Sequence, residues 1–216
     1  MLAVIEIGNC AMSLEKCLNQ SKDLGVWLHS KTNEKEFSNN VRERSALSIL
    51  QLAEDTSDAI IILLEAKLPG PSLSLARPLF EAYVRGLWLL RYASDEQVSK
   101  FLEGNCPNFP GLLAAIGKDK ESGGAWIHAI SEKNLRNFHD LTHGGHHHVL
   151  RRITADSMEP NYPEKELETL IEFANEIRIR IGCETLLLLN DEDAIQDLQN
   201  RAHGLRMHLE EPIPQQ

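Results

Sequence analysis

The sequence predicts an all-α protein, an antiparallel multi-helix bundle with short peripheral helices, and three observations carry that expectation. Valine and threonine number six each, which is few β-branched residues for a chain with substantial sheet. No segment alternates strictly between apolar and polar residues, the pattern of a half-buried strand. Apolar residues instead recur at spacings of three, four and seven through most of the chain, as one face of a helix requires.

Taken in order, residues 11–29 form a first helix, and the polar run SKTNEKEFSNN at 30–40 is a loop. From Val41 to Lys67 the positions Ala46, Ile49, Leu50, Ala53, Ile60, Leu63 and Leu64 paint one face of a long helix. PGPS at 69–72 breaks it. A second long helix runs from about Leu73 to Tyr92, with Pro78 tolerated near its first turn. So short a break folds the pair into an antiparallel hairpin. DEQVSKFLEG is a short helix closed by Gly104, NCPNFPG is irregular, and Leu112–Ile116 adds a helical turn. KDKESGG is a mobile connection. A helix from about Ala125 carries Trp126, Ile127, Ile130, Leu135, Phe138 and Leu141 to the Gly144-Gly145 pair, which stops or bends it. MEPNYPEKE is a loop, Pro163 starts an amphipathic helix reaching Leu189, and residues 191–209 form a last helix before a frayed tail at 210–216.

A chain of 216 residues with 42% hydrophobic and 25% charged residues reads as one globular domain over 1–216, its core at about 11–190. The opening MLAVIEIGNCAMSLEKCL has no basic n-region and carries Glu6 in its apolar run, against a secretory signal. The apolar stretches AIIILLEA and ETLLLL fall well short of the roughly 20 residues of a membrane span. A cytoplasmic protein with no membrane partner is expected. Cys10, Cys17, Cys106 and Cys183 show no CxxC spacing, so neither a zinc knuckle nor a disulfide framework is indicated. A net charge of −10 excludes broad electrostatic binding to DNA or RNA and confines any such contact to a local basic patch.

Two constellations stand out. In LARPLFEAYVRGLWLLRYA, Arg77, Glu81 and Arg85 lie four residues apart on one stripe that Trp88 and Tyr92 continue, while Leu79, Ala82, Tyr83, Gly86, Leu87 and Leu90 take the other faces. The stripe is either an ion-pair ladder, worth about 0.2–0.5 kcal/mol per pair, or the polar lining of a cleft. Gly86 marks a close helix crossing. The second constellation is RNFHDLTHGGHHHVLRR, residues 136–152, with five of the nine histidines. One reading is a metal face of His139, His143 and His147 at spacings of four, which Gly144-Gly145 would interrupt. A second treats His146, His147 and His148 as solvated surface. The third is RNA cleavage through the substrate's own 2′-hydroxyl: Arg136 and His143, two turns apart on one side of a helix, supply a guanidinium for the phosphate and an imidazole for the proton. Asn137 beside the arginine orients either group.

RNFHDLTH, an arginine followed by a polar residue and then by a histidine after six intervening positions, resembles the motif of the HEPN superfamily. That resemblance implies a four- or five-helix bundle whose homodimer brings two motifs into one metal-independent ribonuclease site, without a cofactor, often in bacterial toxin–antitoxin or phage-defence systems. Carried onto this chain, Arg136 is the phosphate clamp, His143 the general base and His139 a second proton carrier, with Arg151 and Arg152 holding the RNA backbone. ARPLFEAYVRGLW followed by THGG is also similar to uncharacterised bacterial helical proteins over about residues 42–152, with no established activity. Two alternatives remain open at this level: a non-catalytic helical protein binding a partner through Arg77, Glu81 and Arg85, and a histidine-cluster metal-binding bundle.

Overall fold

The computed structural model describes residues 13–118 and 124–205, and every segment with regular structure in it is helical. Residues 119–123 of the expected mobile connection, the first residues of the expected opening helix, and everything beyond Leu205, including the end of the expected last helix and the whole tail at 210–216, lie outside the described residues. The five longest helices are α1 (Leu14–Thr32), α2 (Val41–Glu65), α4 (Ala76–Arg91), α7 (Gly124–Thr142) and α9 (Glu164–Leu188). The shorter ones are α3 (Pro69–Ser74), α5 (Asp95–Leu102), α6 (Phe109–Ile116), α8 (His146–Leu150) and α10 (Glu192–Gly204). Side chains that compete with the backbone set half of the starts: Ser13, Asn40, Asn108 and Asp191 accept N–H bonds from the first turns of α1, α2, α6 and α10, and Ser94 with Gln97 forms a capping box on α5, among the ten described helices.

The α2–α4 hairpin forms as expected. Its antiparallel sense is fixed at two levels, where Arg42 donates to the carbonyls of Leu89 and Ala93 and where Leu50 lies against Gly86, while the Ser72 hydroxyl of α3 donates to the Ile60 carbonyl at 3.0 Å near the turn. PGPS does not break the helix, however. Lys67, in the left-handed region at φ 58°, reverses the chain, and Pro69 then opens α3 at a first-turn position where its missing N–H costs nothing.

Gly86 lets α2 and α4 approach closely. A Cβ there would stand 2.5 Å from Leu50 Cδ2, 2.7 Å from its Cγ and 3.3 Å from its backbone nitrogen. The Leu50 side chain can yield but its backbone cannot, so Gly86→Ala is expected to lower stability by about 1–3 kcal/mol, read as a fall in the urea midpoint at unchanged slope.

The main core gathers the inner faces of α2, α4, α6, α7 and α9 around Phe80, which is fully buried. Phe80 meets the rings of Phe109, Trp126, Phe138 and Phe173 at centroid separations of 5.9, 6.5, 6.1 and 6.3 Å. A second cluster of Leu24, Leu28, Ile179, Cys183, Leu186 and Leu198 seats α10 on α1 and the far end of α9. No helix among the described residues is long and apolar enough to cross a membrane.

Candidate functional site

The polar stripe of α4 and the histidine-bearing face of α7 meet. On α4, Arg77 Nε donates to Glu81 Oε1 at 2.7 Å and Arg85 Nη2 donates to Oε2 at 3.0 Å. Burial pushes the Glu81 carboxyl up, but the two guanidinium hydrogen bonds and their charges outweigh it and hold the group below its ordinary value. The stripe ends there, because Trp88 is 2% exposed and faces the core, so it does not extend the polar line as the spacing suggested. Arg85 also lies over the Phe109 ring at 5.9 Å.

Arg77 has a second partner: its Nη1 donates to Nδ1 of His139 on α7. Arginine has no acceptor, so Nδ1 must be the unprotonated nitrogen and His139 keeps its proton on Nε2. The His139 ring in turn contacts the His143 ring, with centroids 4.5 Å apart. Arg136, His139 and His143 are all exposed, and Asn137 is half-buried. Seven residues of helix separate Arg136 from His143 by about 10 Å along the axis, and His139 stands between them. The result is an open surface on which Arg77 meets His139, His139 meets His143, and Arg136 stands one turn before His139 on α7.

The Gly144-Gly145 pair does end α7. Gly144 takes φ 68°, and Gly145 N–H returns to the Asp140 carbonyl at 2.8 Å. The chain then enters α8 instead of a loop. Asp140 caps this short helix, its Oδ1 accepting from His146 N–H at 3.1 Å and its Oδ2 from His147 N–H at 2.9 Å. The His147 backbone bond above all holds the Asp140 carboxyl below its ordinary value, while burial foremost lowers His147.

This turn corrects two expectations. The metal face of His139, His143 and His147 does not assemble: the helix stops before it reaches His147, and the ligand atoms that come together are those of Asp140, His146 and His147. His148 is not solvated surface either. Its Nε2 donates to the Leu141 carbonyl at 2.8 Å and its Nδ1 accepts from the Tyr162 hydroxyl at 3.0 Å, tying α8 to α7 and to the chain before α9. Arg151, expected to hold RNA, commits its guanidinium to both oxygens of Glu166 and to the His147 carbonyl, with only 12% of its side chain exposed. Arg152 is exposed.

A second polar cleft, of about 300 Å³, was not anticipated from the sequence. It lies between α1, the loop before α2, and α2 itself, lined by Gly25, Phe37, Glu54, Asp58 and Arg178 among others. Arg178, with 3% of its side chain exposed, pairs with Asp58 and donates to the Ser21 carbonyl at 2.9 Å. Its signal was a set of charges, Glu176, Arg178, Arg180 and Glu184, among the apolar residues of the second half of α9. A helix read as amphipathic would send those charges to solvent.

Burial pushes the Glu54 carboxyl up to about 7, with Arg178 opposing the shift. A folded-state value above the ordinary 4.5 means the folded form binds the extra proton. Stability associated with Glu54 is therefore complete below about 4.5 and is lost as pH rises to about 7. Glu54→Gln is expected to melt with the wild type at pH 4 and above it at pH 8, by an amount on the order of 2 kcal/mol.

Fold and site together define an all-α bundle carrying an arginine–imidazole surface where two of its helices cross. The chain belongs to a family of unknown function, DUF6988, which matches residues 50–210 and so includes both the α4 stripe and the α7 histidines. No curated protein and no solved structure matches it.

Proposed function

We propose that the α4–α7 surface binds single-stranded RNA and cleaves it by attack of the 2′-hydroxyl on the neighbouring phosphorus, in the manner of HEPN-like ribonucleases of bacterial toxin or defence systems. The observation that carries this reading is the Arg77–His139 hydrogen bond, which joins the arginines of one helix to the paired imidazoles of the other. His143, exposed at the end of α7, takes the 2′-hydroxyl proton. His139, its tautomer fixed by Arg77, presents Nε2–H to a non-bridging phosphate oxygen, and Arg136 holds the backbone phosphate as negative charge builds. The 2′-oxygen forms its bond to phosphorus as the bond to the 5′-oxygen breaks, and the departing 5′-oxygen takes up the proton that His143 has collected. The products are a 2′,3′-cyclic phosphate and a free 5′-hydroxyl.

Such a site suits an acidic protein, because attraction to phosphate is limited to this patch. A homodimer would place two patches along one strand, and Val149, Leu150, Ile153 and Met158, exposed a few residues beyond the histidines, are the surface on which the second copy would sit. The test is incubation of the untagged protein with end-labelled single-stranded RNA in excess EDTA. Fragments ending in 2′,3′-cyclic phosphate are expected; intact RNA, or fragments with 3′-hydroxyl ends, would reject the reading.

A further inference from the structure

The turn after α7 brings together three side chains with the chemistry of a metal site, and the RNA reading uses none of them. We propose that Asp140, His146 and His147 bind one divalent ion of the zinc class, which clamps α7 to α8.

One ligand atom from each of the three lies within 4.8 Å of the other two. Asp140 Oδ1 and His146 Nδ1 are 3.0 Å apart, and the His146 and His147 rings stand with centroids 4.1 Å apart. Ligands at about 2.0–2.1 Å from a tetrahedral ion are separated by roughly 3.3 Å, so the first pair already has the spacing of adjacent ligands and His147 needs a modest rotation.

The carboxylate is fixed before any ion arrives. The N–H groups of His146 and His147 hold one lone pair on each of its oxygens and leave a second on each, that of Oδ1 facing His146 Nδ1, which is how hydrogen-bonded carboxylates are oriented around metals. Gly145 is what allows this approach, since a Cβ there would fall 2.0 Å from Asp140 Oδ1. With the ion bound, His146 Nδ1 is a ligand and carries no proton, so the ring's proton sits on Nε2.

Two imidazole nitrogens and one carboxylate favour Zn²⁺, Ni²⁺ or Co²⁺ over Mg²⁺ or Ca²⁺, which prefer oxygen alone. The fourth position is left to water. His143 lies outside the ligand set, so the ion acts by holding the Gly144-Gly145 turn on which His143 sits.

The experiment is calorimetric titration of chelator-stripped, untagged full-length protein with Zn²⁺, without RNA, so that its outcome is independent of whether the protein cleaves RNA. One ion per chain is expected, undisturbed by millimolar Mg²⁺, together with a rise in melting temperature. His146→Ala and His147→Ala are each expected to weaken binding at least tenfold. Both side chains lie at the surface turn, and an unchanged circular dichroism spectrum confirms that the variants fold. His29→Ala, at a distant exposed histidine, is expected to bind as the wild type does. Absence of stoichiometric binding overturns the proposal, as does binding that survives the His146→Ala/His147→Ala double change or that is lost in His139→Ala instead.

Discussion

His143→Ala is expected to reduce the rate of RNA cleavage by about 10² to 10⁴, the usual contribution of a positioned proton acceptor, while the melting temperature stays that of the wild type. Both halves follow from position. The side chain is exposed and its recorded contact is with the His139 ring, so its removal opens no cavity and strands no buried partner. Its imidazole is the one best placed to meet a ligand at the open end of α7. A loss of cleavage accompanied by a large fall in melting temperature would instead make His143 a structural residue. An unchanged rate would remove it from the chemistry.

Phe80→Ala is expected to have the largest effect on stability, about 3–5 kcal/mol, seen as a fall in melting temperature of roughly 10 °C for a chain of this size. Phe80 contacts aromatic residues from α6, α7 and α9 at once, through Phe109, Trp126, Phe138 and Phe173. Truncation leaves a cavity that rigid neighbouring helices fill poorly. The same packing presses α7 onto α4, so the variant should also weaken the Arg77–His139 contact and lose RNA affinity. A destabilisation under 1 kcal/mol would show that the core relaxes around the gap and that Phe80 is not its keystone.

Much of this architecture was legible because long helices declare themselves by period. α2, α4, α7 and α9 each repeat apolar positions over four or more turns, and their observed limits fall within a few residues of those read from the sequence. The α4 ladder was legible for the same reason, since residues four apart on a helix must be neighbours. What escaped depends on contacts distant in sequence or on single backbone angles. Lys67 reverses the chain with a left-handed conformation that its side chain does not advertise. His146–Leu150 is helical because Asp140, six residues upstream, caps it. Arg151 reads as a free cation until Glu166 is folded against it. Arg178 could not be placed in a cleft without knowing that Asp58 of α2 faces α9. The joining of α4 to α7 through Arg77 and His139 is of this kind too: each residue was singled out, and only the packing of the two helices makes them one surface.

That joining is tested most directly by a double-mutant cycle on the RNA cleavage rate with Arg77→Ala and His143→Ala. If the guanidinium on α4 and the imidazole on α7 serve one transition state, the double variant will cleave about as slowly as the slower single variant, a strongly non-additive result. Losses that multiply, or a rate indifferent to Arg77, would contradict a shared site and leave the ladder on α4 with a purely structural role.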